Sequence, residues 1–297
     1  MAADDQDTGH ACRLAPRVPP MPENPPPPRN PPLPENLPLR LRLQFTVTRW
    51  ITRCLRPLGL REPVLRLRGA LARARRHACE RRGSARYSRP ALHGINRELA
   101  RIVDRDDGVF VEAGGHNGYT QSNSYYLERF RGWRGVLVEP MPEMAAEARR
   151  NRPAAQLFQC ALVAPDHGAA DVEMRFGDLF TKVRGTEKED REWTQGGTLL
   201  GWRDARVERV PARTLSSVLE EAGAEQVDLL SLDVEGHEAQ ALRGLDLDRH
   251  APRWILVEMH DLAAGRAAIG EVLGARYVEH AQLSPLDILY RRLDRDA

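Results

Sequence analysis

The sequence predicts an α/β fold with a doubly wound, mostly parallel sheet of seven strands and an N-terminal extension. Three observations predict it. From residue 95 onward, short apolar runs alternate with helical patterns. The run 109–113 breaks into glycines at its end, and other apolar runs end in an acidic residue. Strands of this kind are buried on both faces, and their carboxyl ends lie at one edge of the sheet.

Strands are predicted where short runs rich in Val, Leu and Ile end at Gly, Pro or charged residues, and helices where apolar residues recur three or four positions apart. The predicted strands are 109–113, 135–139, 156–161, 227–232, 253–258, 276–281 and 286–291, the last two forming a hairpin around Ser284-Pro285. The predicted helices are 92–104, 119–130, 142–151, 213–222, 236–243 and 262–273. The stretch from 165 to 211 interrupts the alternation, with extra strands predicted at 171–176 and 206–210.

The glycine-rich segment after the first strand is the first candidate site. Gly114, Gly115 and Gly118 permit positive φ and a close approach of backbone N–H groups to a ligand. Glu112 lies near the carboxyl end of the strand, where open α/β sheets bind ligands. The spacing differs from G-x-G-x-x-G, and no Lys-Ser/Thr follows Gly118, so neither a dinucleotide fingerprint nor a P-loop is present.

A second acid, Glu139, ends the next predicted strand, and Pro140 prevents that strand from continuing. In a βαβ unit, an acid at this position accepts hydrogen bonds from the ribose hydroxyls of a cofactor bound over the first turn. The pair of motifs therefore predicts a nucleotide-like cofactor.

These segments resemble the FkbM-type S-adenosylmethionine-dependent methyltransferases, which have the Rossmann-like class I methyltransferase fold. The resemblance covers residues 92–292 and rests on segments 110–118, 132–140, 210–215 and, most specifically, 230–238. It implies S-adenosylmethionine as the cofactor. Its methionine portion would be held by the glycine loop, its ribose by one acid and its adenine edge by the segment after strand 3. The residues so implied are Glu112, Gly114, Gly115, Asn117 and Gly118, then Glu139, then Cys160 and Ala161. Glu112 stands where many relatives carry Asp, which is a mild chemical departure.

The segment 227–238 supplies the candidate catalytic residues. Asp233 ends a buried strand and would share the crevice with Glu112 and Glu139. Three acids there are costly without a cationic or polar ligand, and the sulfonium and ammonium of the cofactor would compensate them. His237 is the leading candidate for the base that removes a hydroxyl proton, because histidine titrates near neutral pH. Asp233 is the alternative base, or a ligand that orients the amine of the cofactor.

A divalent metal is a further option that the sequence does not favour. Glu258, His260 and Asp261 follow the fifth strand and could join Asp233 as oxygen and imidazole ligands. Their spacing is not diagnostic of a metal site. The four cysteines form no C-x-x-C pair, which argues against zinc and against a disulfide framework.

The N-terminal third differs in composition from the remainder. Residues 1–38 are rich in proline and predict a disordered tail. Residues 39–91 form an Arg-rich extension expected to be helical, and 39–89 hold 15 Arg and two Glu. This extension is expected to be a helical cap on the methyltransferase domain at 92–297, with contact to an anionic membrane as the alternative. No nucleic-acid-binding motif is present, so specific nucleic-acid binding is not expected.

The resemblance and the candidate residues together predict an O-methyltransferase that acts on a hydroxyl of a small molecule, such as a natural product or a sugar. Two alternatives stay open. One is methyl transfer to nitrogen or carboxylate, where a strong base is not needed. The other is a non-catalytic binding protein tethered to a membrane or polyanion by the Arg-rich segment. No apolar run reaches the roughly 20 residues of a membrane span, and no signal sequence is recognisable at the start, so a cytoplasmic protein is expected.

Overall fold

The computed structural model describes residues 61–177, 180–183 and 206–293. The predicted Pro-rich tail, the first part of the Arg-rich extension and the middle of the 165–211 segment lie outside these residues. The extension is helical over α1, Arg61–Arg81. Within the described part of the chain, no helix combines the length and the apolarity that a membrane crossing requires.

The central sheet contains seven strands among the described residues, in the order β3-β2-β1-β8-β9-β11-β10. All neighbouring pairs are parallel except those made by β11, which runs antiparallel to β9 and β10. The strands are β1 (Val109–Ala113), β2 (Arg134–Val138), β3 (Gln156–Phe158), β8 (Leu229–Leu232), β9 (Trp254–Glu258), β10 (Tyr277–Gln282) and β11 (Asp287–Arg292). The predicted sheet and the predicted terminal hairpin are therefore confirmed.

Helices cover both faces of this sheet. They are α2 (Ile95–Ile102), α3 (Tyr125–Phe130), α4 (Pro142–Asn151), α5 (Leu215–Ala222), α6 (Glu238–Arg243) and α7 (Leu262–Leu273). Successive strand residues point to opposite faces. Thus Phe110 packs in the cluster with α2, α3 and α4, whereas Val111 packs in the cluster with α5, α6 and α7. Both side chains are fully buried, so the doubly wound arrangement follows from the uninterrupted apolar strands.

A second sheet flanks the carboxyl edge of the first, with the strand order β4-β7-β5-β6. Its strands are β4 (Ala161–Leu162), β5 (Asp171–Gly177), β6 (Phe180–Val183) and β7 (Arg206–Arg213). The two extra strands predicted in the 165–211 segment are present here as β5 and β7.

Two predicted elements differ clearly from the structure. The strand predicted over 156–161 is divided, because the chain leaves the central sheet after Phe158 and Ala161 pairs instead with Ala212 of β7. The helix predicted over 119–130 begins only at Tyr125. Residues 119–124 form turns instead, because a buried carboxylate binds their side chains and backbone, as described below.

Candidate cofactor-binding and active site

A cavity of about 1000 Å³, counted with its open mouth, lies at the carboxyl edge of the central sheet. The ends of β1, β2 and β8 form its floor, and β4 and β5 of the second sheet contribute a wall. The three acids predicted to converge, Glu112, Glu139 and Asp233, all line it. His237 lines it as well, so the two candidate catalytic residues and the candidate ribose ligand share one space.

Gly114 allows the ends of β1 and β8 to approach each other beneath the cavity. Its φ is 83°, and a Cβ added there would lie 1.7 Å from the carbonyl oxygen of Asp233. A Cβ on Gly115 would be 3.5 Å from its nearest neighbour, which is an ordinary contact. Gly114 lines the cavity, whereas Gly115 and Gly118 lie outside the lining among the described residues.

Asn117 shapes the glycine loop from within. Its Oδ1 accepts hydrogen bonds from the backbone N–H groups of Tyr119 and Thr120, at 3.1 and 2.8 Å. Its carbonyl oxygen accepts a hydrogen bond from Nδ2 of Asn151 at 2.8 Å. Asn117 does not belong to the described cavity lining, so its geometry is that of a residue that fixes the loop.

The carboxylate of Glu112 is satisfied by the protein itself. It accepts hydrogen bonds from Oγ of Ser122 at 2.8 Å, the backbone N–H of Asn123 at 2.6 Å and Oγ of Ser124 at 2.6 Å. A guanidinium nitrogen of Arg152 lies 3.6 Å away. The buried Glu112 side chain is therefore compensated by groups of the protein itself. Of the three acids predicted to need a cationic or polar ligand, only Glu139 and Asp233 still need one.

Arg152 is an organising residue that the sequence does not reveal. Its side chain has no exposed surface, and Nε donates to Glu128 at 2.7 Å. Its two terminal nitrogens donate to the carbonyl oxygen of Gly118 and to the hydroxyls of Ser122 and Ser124. Arg152 follows two other arginines in an Arg-rich chain, so its residue type carries no signal. The small polar run 122–124, inside a helical pattern, is the signal that could have indicated a buried polar centre.

Glu139 directly follows the last residue of β2, and 4% of its surface is exposed. Oε2 accepts a hydrogen bond from the backbone N–H of His116 at 2.7 Å, and Oε1 accepts one from the N–H of Met141 at 2.9 Å. Burial raises the pKa of this carboxyl to about 7, against the lowering effect of the two hydrogen bonds. Each carboxylate oxygen has a second lone pair for a donor from a ligand.

Asp233 lies beside Glu258, at the ends of the paired strands β8 and β9. Burial raises the pKa of Asp233 well above its usual range, and a hydrogen bond with Glu258 and the negative charges of Glu258 and Glu235 raise it further. A carboxyl with a raised pKa binds a proton more readily than an ordinary aspartate.

His237 occupies the position before α6, directly after a strained turn. Glu235 has a φ of 55°, in the left-handed region that favours glycine, and Gly236 has a φ of 97°. Oε1 of Glu238 accepts hydrogen bonds from the N–H groups of Val234 and Gly236, at 3.2 and 2.9 Å. This turn carries His237 to the cavity wall.

The residues considered as metal ligands have other partners. Oδ1 of Asp261 accepts hydrogen bonds from two backbone N–H groups and caps the start of α7. Nε2 of His260 lies 3.1 Å from Oε2 of Glu235. Within the described residues, no group of three or more His, Cys, Asp or Glu side chains is arranged to hold a metal ion.

Cys160 and Ala161 line the cavity between β3 and β4. Cys160 is 1% exposed, and burial raises the pKa of its thiol to about 12. Since the thiolate is the nucleophilic form, this cysteine is a wall residue rather than a nucleophile.

Several solved methyltransferase structures are similar to this chain. The precorrin-6y C5,15-methyltransferase of Geobacter metallireducens is 12% identical over 68% of this chain and 87% of its own, with a TM-score of 0.35. A TehB-like S-adenosylmethionine-dependent methyltransferase of Corynebacterium glutamicum is 12% identical over 76% and 100%, with a TM-score of 0.34. A methyltransferase of Geobacter sulfurreducens is 15% identical over 74% and 87%, with a TM-score of 0.36. No curated protein matches the sequence.

The seven-stranded sheet, with one antiparallel strand near its edge and an acidic cavity at the carboxyl ends, defines a class I S-adenosylmethionine-dependent methyltransferase fold. The sequence pattern of the Methyltransferase FkbM domain matches residues 112–282, more than half of the chain. The protein belongs to the FkbM methyltransferase family.

Proposed function

We propose that the protein is an S-adenosylmethionine-dependent O-methyltransferase that acts on a hydroxyl of a small molecule, of the natural-product or sugar type. One observation carries the proposal: Glu139, Asp233 and His237 line a single cavity. A buried carboxylate for cofactor hydroxyls thus lies in the same space as two groups able to accept a proton.

The lining residues fit S-adenosylmethionine chemically. Glu139 offers oxygen lone pairs to ribose hydroxyls, and the carboxyl oxygens of Asp233 can accept hydrogen bonds from the cofactor amine. Leu162 and Met174 add apolar surface on the side of the second sheet. When bound, the cofactor supplies a methyl group on a cationic sulfur, which an in-line nucleophile can displace.

Two residues of the chain can take the proton of a hydroxyl acceptor. His237 lines the cavity, and an imidazole is a side chain that can accept a proton from a hydroxyl. Asp233 is the second acceptor, because it lines the same cavity, and burial and Glu258 raise its pKa, which makes its ionised form a stronger base. We assign His237 as the base and Asp233 as the residue that orients the cofactor amine, and exchange of these two roles is the alternative.

Calorimetric titration with S-adenosylmethionine and, separately, with NAD tests the cofactor. We expect micromolar binding of S-adenosylmethionine alone, lost in Glu139→Ala. Glu98→Ala, on the exposed face of α2, is the matched control and should bind as wild type does. Binding of NAD, or of neither compound, would overturn the proposal.

A screen of hydroxylated and amine acceptors, read as release of S-adenosylhomocysteine, then tests the acceptor atom. For a hydroxyl acceptor, His237→Asn should lower kcat by a factor on the order of 10² to 10⁴, the range for loss of a general base. Its Kd for S-adenosylmethionine should stay the same. Full activity of this variant on a neutral amine would show nitrogen methylation instead.

A further inference from the structure

Helix α1 lies outside the family-matched segment, yet it contacts the loop that frames the cavity. We define the cavity loop as residues 116–124, which contribute His116, Thr120, Gln121, Ser122 and Asn123 to the cavity lining. The second half of α1 packs behind this loop. Earlier in the helix, Leu67 and Leu71 are about 60% exposed.

Arg76 is the central contact of α1. It is 4% exposed, and its guanidinium lies 3.7 Å from the centroid of the Tyr119 ring, inside the cavity loop. One terminal nitrogen donates to Oδ1 of Asn151 at 3.3 Å, and Nδ2 of Asn151 donates to the carbonyl oxygen of Asn117 at 2.8 Å. Arg76 thus reaches the loop twice, once through a cation–π contact and once through Asn151.

Glu80 fixes the next turn of α1 to the residue that follows the loop. It accepts hydrogen bonds from the Tyr125 hydroxyl at 2.9 Å and the Ser88 hydroxyl at 2.7 Å, and it pairs with Arg129 at 3.1 Å. Burial acts to raise the pKa of Glu80, but these hydrogen bonds and the Arg129 charge outweigh it and lower the pKa. The Glu80 carboxylate is therefore ionised near neutral pH.

The chain that follows α1 makes a third connection to the loop. The Tyr119 hydroxyl donates to the carbonyl oxygen of Tyr87 at 2.6 Å. The ring of Tyr119 is therefore held on its face by Arg76 and at its tip by Tyr87. The rings of Tyr119 and Tyr125 also meet edge to face, 5.0 Å apart, which joins the two anchoring points.

We propose that Arg76 is a positioning residue for the cofactor site, and that α1 is a brace which holds the cavity loop in its binding geometry. The inference rests on the proposed binding of S-adenosylmethionine in this cavity. A loop that is ordered before binding loses less conformational entropy when the cofactor arrives. Removal of the brace therefore weakens cofactor binding without touching a cavity-lining residue.

The test uses the full-length chain and two readouts. Kd for S-adenosylmethionine is measured by calorimetry, and amide hydrogen exchange is followed in the ligand-free protein. For Arg76→Ala we expect Kd to rise about tenfold, the scale of a desolvated cation–π contact. Exchange should accelerate in residues 116–124. Arg68→Ala, at an exposed position of the same helix, is the matched control and should change neither readout.

Two milder variants keep the inference testable if Arg76→Ala does not fold. Arg76→Lys keeps the charge and should recover part of the affinity. Tyr119→Phe removes only the hydroxyl bond to Tyr87 and should raise both Kd and loop exchange by a smaller factor.

The inference is overturned if Arg76→Ala lowers the melting temperature but leaves Kd and the exchange of the loop at wild-type values. Failure of the wild-type protein to bind S-adenosylmethionine would overturn the proposed function instead. In that case faster exchange of residues 116–124 in Arg76→Ala would still support the brace, and unchanged exchange would reject it.

Discussion

Glu112 and Glu139 end neighbouring parallel strands, and each is 4% exposed, yet their surroundings differ completely. Two serine hydroxyls, a backbone N–H and the nearby Arg152 surround Glu112. Glu139 accepts hydrogen bonds from two backbone N–H groups, and burial raises its pKa to about 7. The carboxylate of Glu112 is used by the protein to hold the cavity loop. The carboxylate of Glu139 can still accept hydrogen bonds from a ligand.

The largest expected effect comes from removing the carboxylate of Glu112. Glu112→Ala leaves the fully buried Arg152 with one carboxylate partner fewer and removes the acceptor of two serine hydroxyls. We expect a loss of about 3–5 kcal/mol in the free energy of unfolding, the range for breaking a buried ion pair. Urea denaturation at pH 7.5 measures it. A loss under about 1 kcal/mol would mean that the contacts of Glu112 do not stabilise the fold, and that Glu112 resembles Glu139 in this respect.

Gly114 and Gly115 give a matched pair at the same strand end. Gly114→Ala puts a Cβ against the carbonyl oxygen of Asp233 at positive φ, so we expect a loss of about 3 kcal/mol. Gly115→Ala meets only ordinary contacts and should cost less than about 1 kcal/mol. Thermal unfolding of both variants checks this. Equal effects would show that the close approach of β1 to β8 is not required.

Glu139→Gln should change how stability depends on pH. The folded pKa of Glu139 lies above its unfolded value, so the wild type holds an extra proton between about pH 4.5 and pH 7 and loses that stabilisation as the pH rises through 7. Glutamine does not titrate. The free energy of unfolding of Glu139→Gln, relative to that of the wild type, should therefore rise by about 3 kcal/mol from pH 4 to pH 8. Parallel pH profiles for the two proteins would refute the raised pKa.

The smallest effect is a proton linkage in cofactor binding. A ligand that donates to Glu139 favours the ionised carboxylate, so Kd for S-adenosylmethionine should rise below pH 7 by up to about tenfold per pH unit. Near pH 7, binding should release about half a proton, which calorimetry in two buffers of different ionisation enthalpy detects. A Kd that is flat from pH 5.5 to pH 8 would argue that no donor reaches Glu139.

The elements that depend on local pattern could be predicted from the sequence. Helix α7 begins and ends where its pattern predicts, and β1 matches its apolar run. The three acids at the sheet edge were predicted for the same reason, because strand ends fix their positions. The sequence therefore contained most of the sheet and the location of the cavity.

The features that depend on distant partners could not be predicted. Residues 119–124 have a helical pattern but do not form a helix, because Ser122 and Ser124 donate hydrogen bonds to Glu112. These bonds join a loop to a strand that is distant in the pattern. The strand over 156–161 divides because β7 competes for Ala161. Arg76 and Arg152 look like any other arginine in the sequence, and only their burial distinguishes them.

The buried guanidinium of Arg152 also limits how this site can vary in evolution. It uses all three of its nitrogens on acceptors from β1, the cavity loop and α3. Lysine has one nitrogen and lacks the planar fork, so it cannot replace that set of bonds. Substitutions at positions 112, 128 and 152 should therefore occur together rather than singly.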